Sequence, residues 1–154
     1  MKMNPPITIS QTDLSELEQI VELNRAIFDK MYENAPYSLR HYQKKLERKK
    51  PFILAARADG RLVGDSIAFE KDGAWYIWVF GVAEQYRGQG IGAKLLERNE
   101  RFAGERGYDS ITAKVFNVSC QMQRLLIGRG YRVVGLDLSE VDSKYNAVHF
   151  ELKI

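Results

Sequence analysis

Residues 82–92 read VAEQYRGQGIG. A β-branched strand ending is followed by an irregular turn, and three glycines, Gly88, Gly90 and Gly92, then stand on alternate positions ahead of a helix-like run. Glycine admits left-handed backbone and lets another group approach the main chain closely. A helix start carries N–H groups with no internal partner at the positive end of the helix dipole. Together these features describe an anion site. The strict phosphate loop does not fit, because it needs Gly-Lys-Ser or Gly-Lys-Thr and Gly92 is followed by Ala93 and Lys94. The dinucleotide fingerprint matches Gly88, Gly90 and Ala93 in spacing, but Phe116-Asn117 stands where its acidic residue belongs. Its context is also wrong, since it should open a parallel βαβ unit near a domain start. A helix start made of glycine only for tight packing is the alternative without a ligand.

Working outward, Phe52–Arg57 and Arg61–Glu70 flank Asp59-Gly60, a hairpin turn signal. Lys71-Asp72-Gly73 makes the next turn, and Trp75–Val82 is aromatic and β-branched, so three antiparallel strands precede the glycines. After them, Ile91, Leu95, Phe102 and Ala103 mark one face of a helix closed by Gly107. Ser110–Phe116 reads as a strand, Cys120–Arg129 as a short helix ending at Gly130, and Tyr131–Leu138 and Tyr145–Lys153 as two last strands. At the other end, Ile7–Ser10 is a short strand. Asp13 with Glu16 three residues on signals a capping box, and Leu14, Leu17, Val21, Ile27 and Phe28 give an amphipathic helix over residues 13–30. MYENAPYS is a loop, and Leu39–Lys49 a polar helix stopped by Pro51. The expected fold class is α/β, one domain over residues 1–154 with a mixed, mostly antiparallel sheet of about seven strands and about four helices.

Composition narrows the function classes. The 154 residues suffice for one core, and 45% hydrophobic with 28% charged residues is globular rather than disordered or fibrous. No apolar run has the length of a membrane span and the first residues lack a secretory apolar centre, so a cytoplasmic location without membrane contact is expected. Cys120 is the single cysteine, and His41 and His149 are far apart, so neither a disulfide nor a metal site is expected. A net charge of +3 is too mild for a dedicated nucleic-acid binder. The basic run KKLERKK, residues 44–50, is broken by Glu47 and reads as a solvated helix face, with RNA binding as the competing reading.

The segment Arg87-Gly88-Gln89-Gly90-Ile91-Gly92 resembles the Arg/Gln-x-x-Gly-x-Gly/Ala signature of the GNAT superfamily of acetyl-CoA-dependent N-acetyltransferases. The strand ending at Val82, the helix opening at Ile91 and the GRGY at residues 128–131 fall where that family has them. The resemblance is specific over residues 75–131 and weak before residue 52, where members of that family vary most and bind their acceptors. It implies a GNAT-like fold and transfer of an acetyl group from acetyl-CoA to a primary amine, on a small molecule or a peptide N-terminus. It further implies direct attack in a ternary complex. By the same resemblance, backbone groups from Arg87 through Gly88, Gln89, Gly90, Ile91, Gly92 and Ala93 hold the pyrophosphate. Phe80, Gly81 and Val82 pair with the pantetheine arm beside a bulge that Gly81 suits, and a backbone N–H of this strand serves as oxyanion donor.

The chain departs from the family where an asparagine and, seven residues later, a proton-donating tyrosine are usual: Ser119 and Leu126 stand there. Leucine cannot donate a proton. Asn117 lies two residues from Ser119 and, with it, is a further candidate for cofactor contact. Ser119, Cys120, Tyr131 or water remain open as the acid, as does departure of the thiolate without one. Glu70 is the first candidate base, with Glu33 and Asp29 as others; Glu70, Ser119 and Tyr131 are thus the catalytic candidates. Asp29, Tyr32, Glu33 and Trp78 are the acceptor-binding candidates, the first three on or beside the loop at 31–38. Tyr76, Trp78 and Phe80 share a strand face by period two, with Phe80 read as core. Cys120 reads as a packing residue and His149 as part of a strand face. A non-catalytic acyl-CoA-binding or sensing module is the alternative function, and a second copy of the chain is kept among the partners.

Overall fold

A computed structural model describes residues 5–28 and 37–154. The chain runs β1 (Ile7–Thr12), α1 (Leu17–Phe28), α2 (Leu39–Leu46), β2 (Phe52–Ala58), β3 (Arg61–Lys71), β4 (Ala74–Val82), α3 (Ile91–Glu105), β5 (Ser110–Phe116), α4 (Cys120–Gly128), β6 (Arg132–Asp137) and β7 (Ala147–Lys153). Asp59-Gly60 and Asp72-Gly73 form the two tight turns around β3, with positive φ at all four residues as two-residue hairpins require. The seven strands form one sheet in the order β1-β2-β3-β4-β5-β7-β6. Every neighbouring pair is antiparallel except β4 and β5. That parallel pair is short: only Trp75–Ile77 face Ile111–Ala113. Beyond Ile77 the two strands part.

Helices cover both faces. Leu95, Leu96 and Ala103 of α3 and Leu126 of α4 pack with Leu54, Ile77 and Ile111 on one side. Leu17, Ile20 and Val21 of α1 and Tyr42 and Leu46 of α2 pack with Ile53, Ile67 and Val79 on the other. Each fully buried leucine or isoleucine contributes about 1.5–3 kcal/mol, so both helix pairs are anchored independently of any ligand.

Two extra residues decide which side chains face which layer. Ile67 pairs with Val79 but Ala68 with Ile77, which leaves Trp78 as a bulge in β4. The period-two expectation therefore fails across it. Tyr76 and Trp78 lie on the α1/α2 side with Val79, whereas Phe80 and Val82 turn toward α3. The bulge is at Trp78 and not at Gly81, whose lack of a side chain has a different cause: a Cβ there would meet Ile27 Cδ1 at 3.1 Å and Asn24 Oδ1 at 3.4 Å. Val63 is the second extra residue, between Gly64, which faces Ala56, and Leu62, which faces Arg57.

Element ends differ from the sequence reading in three places. Asp13 caps a short 3₁₀ turn by accepting from Ser15 N at 2.8 Å, while Glu16 accepts from the Thr12 hydroxyl and pairs with Arg57. The reciprocal capping box is replaced by this pair, and α1 begins at Leu17. The second helix ends at Leu46, three residues before Lys49. A 3₁₀ turn at Ser143–Tyr145 delays the last strand to Ala147.

Candidate active site

The parting of β4 from β5 opens a cavity of about 790 Å³. One end is the start of α3. Gly90 occupies its N-cap position with φ 80° and supplies no side-chain cap, so the first N–H groups of the helix face outward unpaired within it. A Cβ added to Gly88 or Gly90 would stand in open space, and both residues line the cavity. Main chain is thus what an incoming group meets there. Gly92 is different: its Cβ would come within 3.0 Å of Leu125 Cδ2, so this glycine permits α3 and α4 to pack. The three glycines thus differ: Gly88 and Gly90 leave main chain open to the cavity, whereas Gly92 serves packing. Arg87 donates its Nε to Val82 O at 3.1 Å and so lies across the end of β4.

The middle of the cavity is formed by Phe80, Gly81 and Val82 on one wall and by Ser119, Met122 and Leu125 on the other. Ile91 and Ala93 line it as well, while Gln89 does not. Asn117 also lies outside: it is exposed, and its carbonyl accepts from Gln123 Nε2 at 2.9 Å. At the far end stand Tyr37, Tyr42, Tyr76 and Trp78 with Lys45 and Lys71. The rings support one another, Tyr42 and Trp78 at 5.0 Å and Tyr37 stacked on His41 at 4.2 Å.

Three residues sought from sequence as proton carriers or in their place are elsewhere. Glu70 faces Trp75 in register, where β4 is still paired with β5, and its carboxylate accepts a long bond of 3.4 Å from Tyr108. It does not line the cavity. Tyr131 is buried on the α3 side, its phenol 3.5 Å from Glu100 Oε1, and Arg129 clamps the same carboxylate at 3.0 and 2.6 Å. Burial, then the Glu100 charge, push this phenol up, so it holds its proton away from the cavity. Leu126 is wholly within the core. Ser119 and Cys120 do line the cavity, whereas Asp29, Tyr32 and Glu33 lie outside the described residues.

Behind the wall at Gly81 is a group that the sequence did not disclose. Asp65 faces Gly81 across the β3–β4 ladder and is fully buried. Asn24 of α1 donates to its Oδ2 at 3.0 Å, while Asp65 Oδ1 and Asn24 Oδ1 are left without a donor among the described residues. The contrast with the opposite layer is informative: Asn99 there accepts from Trp75 Nε1 and donates to Ser66 Oγ and Leu95 O. Burial pushes the Asp65 carboxyl up to about 7, against the pull of the Asn24 hydrogen bond. Burial first, and then the Asp65 charge, raise the Tyr42 phenol, which forms the cavity wall. No sequence signal marks Asp65. The extra residue at Val63 sets which face it takes, and Asn24 of α1 packs over it there.

A family model described as the acetyltransferase (GNAT) family matches residues 17–131. Among solved structures, the chain is similar to the ribosomal-protein-S18-alanine N-acetyltransferase from Escherichia coli, with a TM-score of 0.83 and 16% identity over 97% of this chain and 94% of that one. A GNAT family acetyltransferase from Elizabethkingia anophelis with acetyl-CoA bound aligns with a TM-score of 0.76 and 16% identity, over 96% and 98% of the two chains. The PaiA N-acetyltransferase from Thermoplasma acidophilum, in complex with coenzyme A, gives 0.73 and 17% over 97% and 99%. No curated protein matches the sequence.

Proposed function

Because the chain belongs to the GNAT acetyltransferase family, we propose that it transfers an acetyl group from acetyl-CoA to a primary amine, on a small molecule or a peptide N-terminus, by direct attack in a ternary complex. The observation that carries this reading is the start of α3, where Gly88 and Gly90 present bare main chain to the cavity and no side chain caps the helix. A pyrophosphate fits such a start by charge and by access. Acetyl-CoA, when bound, supplies the thioester carbonyl that the amine attacks.

The rest is work for this chain. The edge of Trp78–Val82 that faces β5 has no strand partner among the described residues, so its backbone groups, apart from the Val82 carbonyl held by Arg87, are available to orient an extended arm. Backbone N–H groups of that edge are fixed donors of the kind that stabilise an oxyanion. Ser119 and Cys120 are the described hydroxyl and thiol of the α4 start that reach the cavity for proton return to the departing sulfur. The burial of Leu126 where the family's tyrosine stands favours one second reading, a module that binds acyl-CoA without turnover.

Calorimetry with acetyl-CoA, followed by release of free thiol with a broad amine panel, tests both. Binding with amine-dependent thiol release is expected. Binding without release from any amine supports the second reading, and absence of binding refutes both.

A further inference from the structure

We propose that the acceptor is a small amine that also bears an anionic group, and that Lys45 and Lys71 hold this group at the aromatic end of the cavity. The inference rests on the acetyltransferase reading above and specifies its substrate class. Among the described residues, each charged side chain that lines the cavity is a cation: Lys45, Lys71, Arg87 and Lys114. Arg87 belongs to the glycine end. The other three belong to the aromatic end, Lys45 beside Trp78 and Lys71 beside Tyr76.

Their placement is set by three different elements. Lys45 projects from α2 with its ammonium 6.0 Å from the Trp78 ring, and Lys71 ends β3 with its ammonium 4.7 Å from the Tyr76 ring. Lys114 follows Ala113, the last β5 residue paired with β4, so it sits level with Trp78 across the opening. Lys114 already has a carboxylate, Asp137 at 3.4 Å. Lys45 and Lys71 have none within ion-pair distance among the described residues, and ring faces are their partners instead. Burial, and then Lys71, Lys49 and Lys114, hold the Lys45 ammonium below its usual range. Like charges are therefore crowded where the described residues that line the cavity supply no anion, and an anionic ligand relieves that repulsion.

The simpler account is that the lysine stems cover aromatic surface while their ammonium groups meet solvent and ring faces. It explains a single lysine on a ring. It does not explain why two unpaired cations converge on the wall of one cavity in which the described residues supply no carboxylate. Service to a group docked at α3 is also a poor explanation. From Tyr76 to Gly81 the strand advances by about 16 Å, so Lys71 stands a strand's length from the glycine end. The amine of the same molecule must reach the unpaired β4 edge beyond Ile77, at the other end of the aromatic wall. Cations at one end, an aromatic wall between and the open strand edge at the other suit an amino acid or a similar amino carboxylate; an aminophosphonate shares the chemistry.

The test uses the intact protein with acetyl-CoA and follows thiol release. The acceptors are the common amino acids, their methyl esters, matched aminophosphonates, phenethylamine and spermidine. At neutral pH the esters have the larger fraction of free amine, so plain reactivity favours them. Recognition as proposed reverses the order, with kcat/KM for an acid about tenfold or more above its ester, the worth of one hydrogen bond to a charged group. Lys45→Gln and Lys71→Gln should each raise KM for the acid about tenfold, spare the ester, and leave acetyl-CoA affinity by calorimetry unchanged. The ratio of carboxylate to phosphonate turnover identifies which oxyanion the site takes. Turnover in which esters, phenethylamine or spermidine equal the acids, or variants that affect acid and ester alike, would overturn the proposal while leaving acetyl transfer intact. Acetyl-CoA binding with no thiol release across the panel would overturn the transferase reading, and this proposal with it.

Discussion

Replacing Asp65 by asparagine should stabilise the protein at neutral and alkaline pH and change it little in acid. The folded state raises this carboxyl from 3.8 to about 7, so folding favours its protonated form. Stability linked to it is fully present below the unfolded value, declines as pH rises through the window between the two, and is lost above the folded value. A shift of about three units at about 1.4 kcal/mol per unit corresponds to about 4 kcal/mol at pH 8. Solvent screening does not reduce this, because the side chain is 0% exposed. Asparagine keeps the size and the acceptor that Asn24 Nδ2 uses, and adds an N–H₂ to a pocket where Asn24 Oδ1 has no donor among the described residues. At about 2–4 °C per kcal/mol for a chain of this length, the difference in Tm should be on the order of 10 °C at pH 8. Scanning calorimetry of both proteins from about pH 4 to pH 8.5 reads it directly. Two curves that run parallel with pH, or a variant less stable at pH 8, would refute the reasoning. A carboxyl retained at such a cost beside a cavity is the pattern expected of a working group, so the stabilised variant should also turn over more slowly.

Gly90→Val should abolish acetyl-CoA binding in calorimetry; because φ is 80°, it should also cost about 1–2 kcal/mol of stability, which thermal melting measures separately. Leu126→Tyr should not restore a proton donor, since the site is core with 0% exposure; overpacking of about 1–3 kcal/mol is expected in denaturant titration, with no gain in thiol release. Tyr131→Phe should leave kcat unchanged, because the phenol is committed to Glu100, whereas Ser119→Ala should lower kcat if the hydroxyl returns the proton to sulfur; steady-state rates separate the two.

The parts of the fold that were legible are those with local causes. Asp59-Gly60 and Asp72-Gly73 specify their turns by backbone angle, and the periodicity of Ile91, Leu95 and Ala103 specifies α3 whatever packs against it. What failed depends on distant residues. Nothing near Trp78 announces that it is an extra residue, because the bulge exists only relative to the register with β3, and one unpaired residue sends Phe80 to the opposite layer. Lys45 read as solvated from its charged neighbours, yet α2 turns it to Trp78. Glu70 and Tyr131 were placed near the site by chain position, whereas the strand parting that defines the site begins beyond Ile77 and leaves both behind.

That parting links fold to activity more directly than any single side chain. A parallel pair continued past Ile77 and Ala113 would satisfy the facing backbone groups of both strands and close the sheet. Here the pairing stops after three residues, and the exposed edge persists without collapse because each strand is held on its other side, β4 by β3 and β5 by β7. Helix starts then frame the gap, α3 at Gly90 and α4 at Ser119. The glycines first noticed in the sequence therefore have a purpose only in combination with it. Gly88 and Gly90 expose main chain at one end of an unfilled edge, and Gly92 lets α4 approach closely enough to form the opposite wall. A variant that extends the β4–β5 ladder should gain stability and lose cofactor affinity together. Substitution of Gly92 should instead move α4, and should weaken binding without touching Gly88 or Gly90.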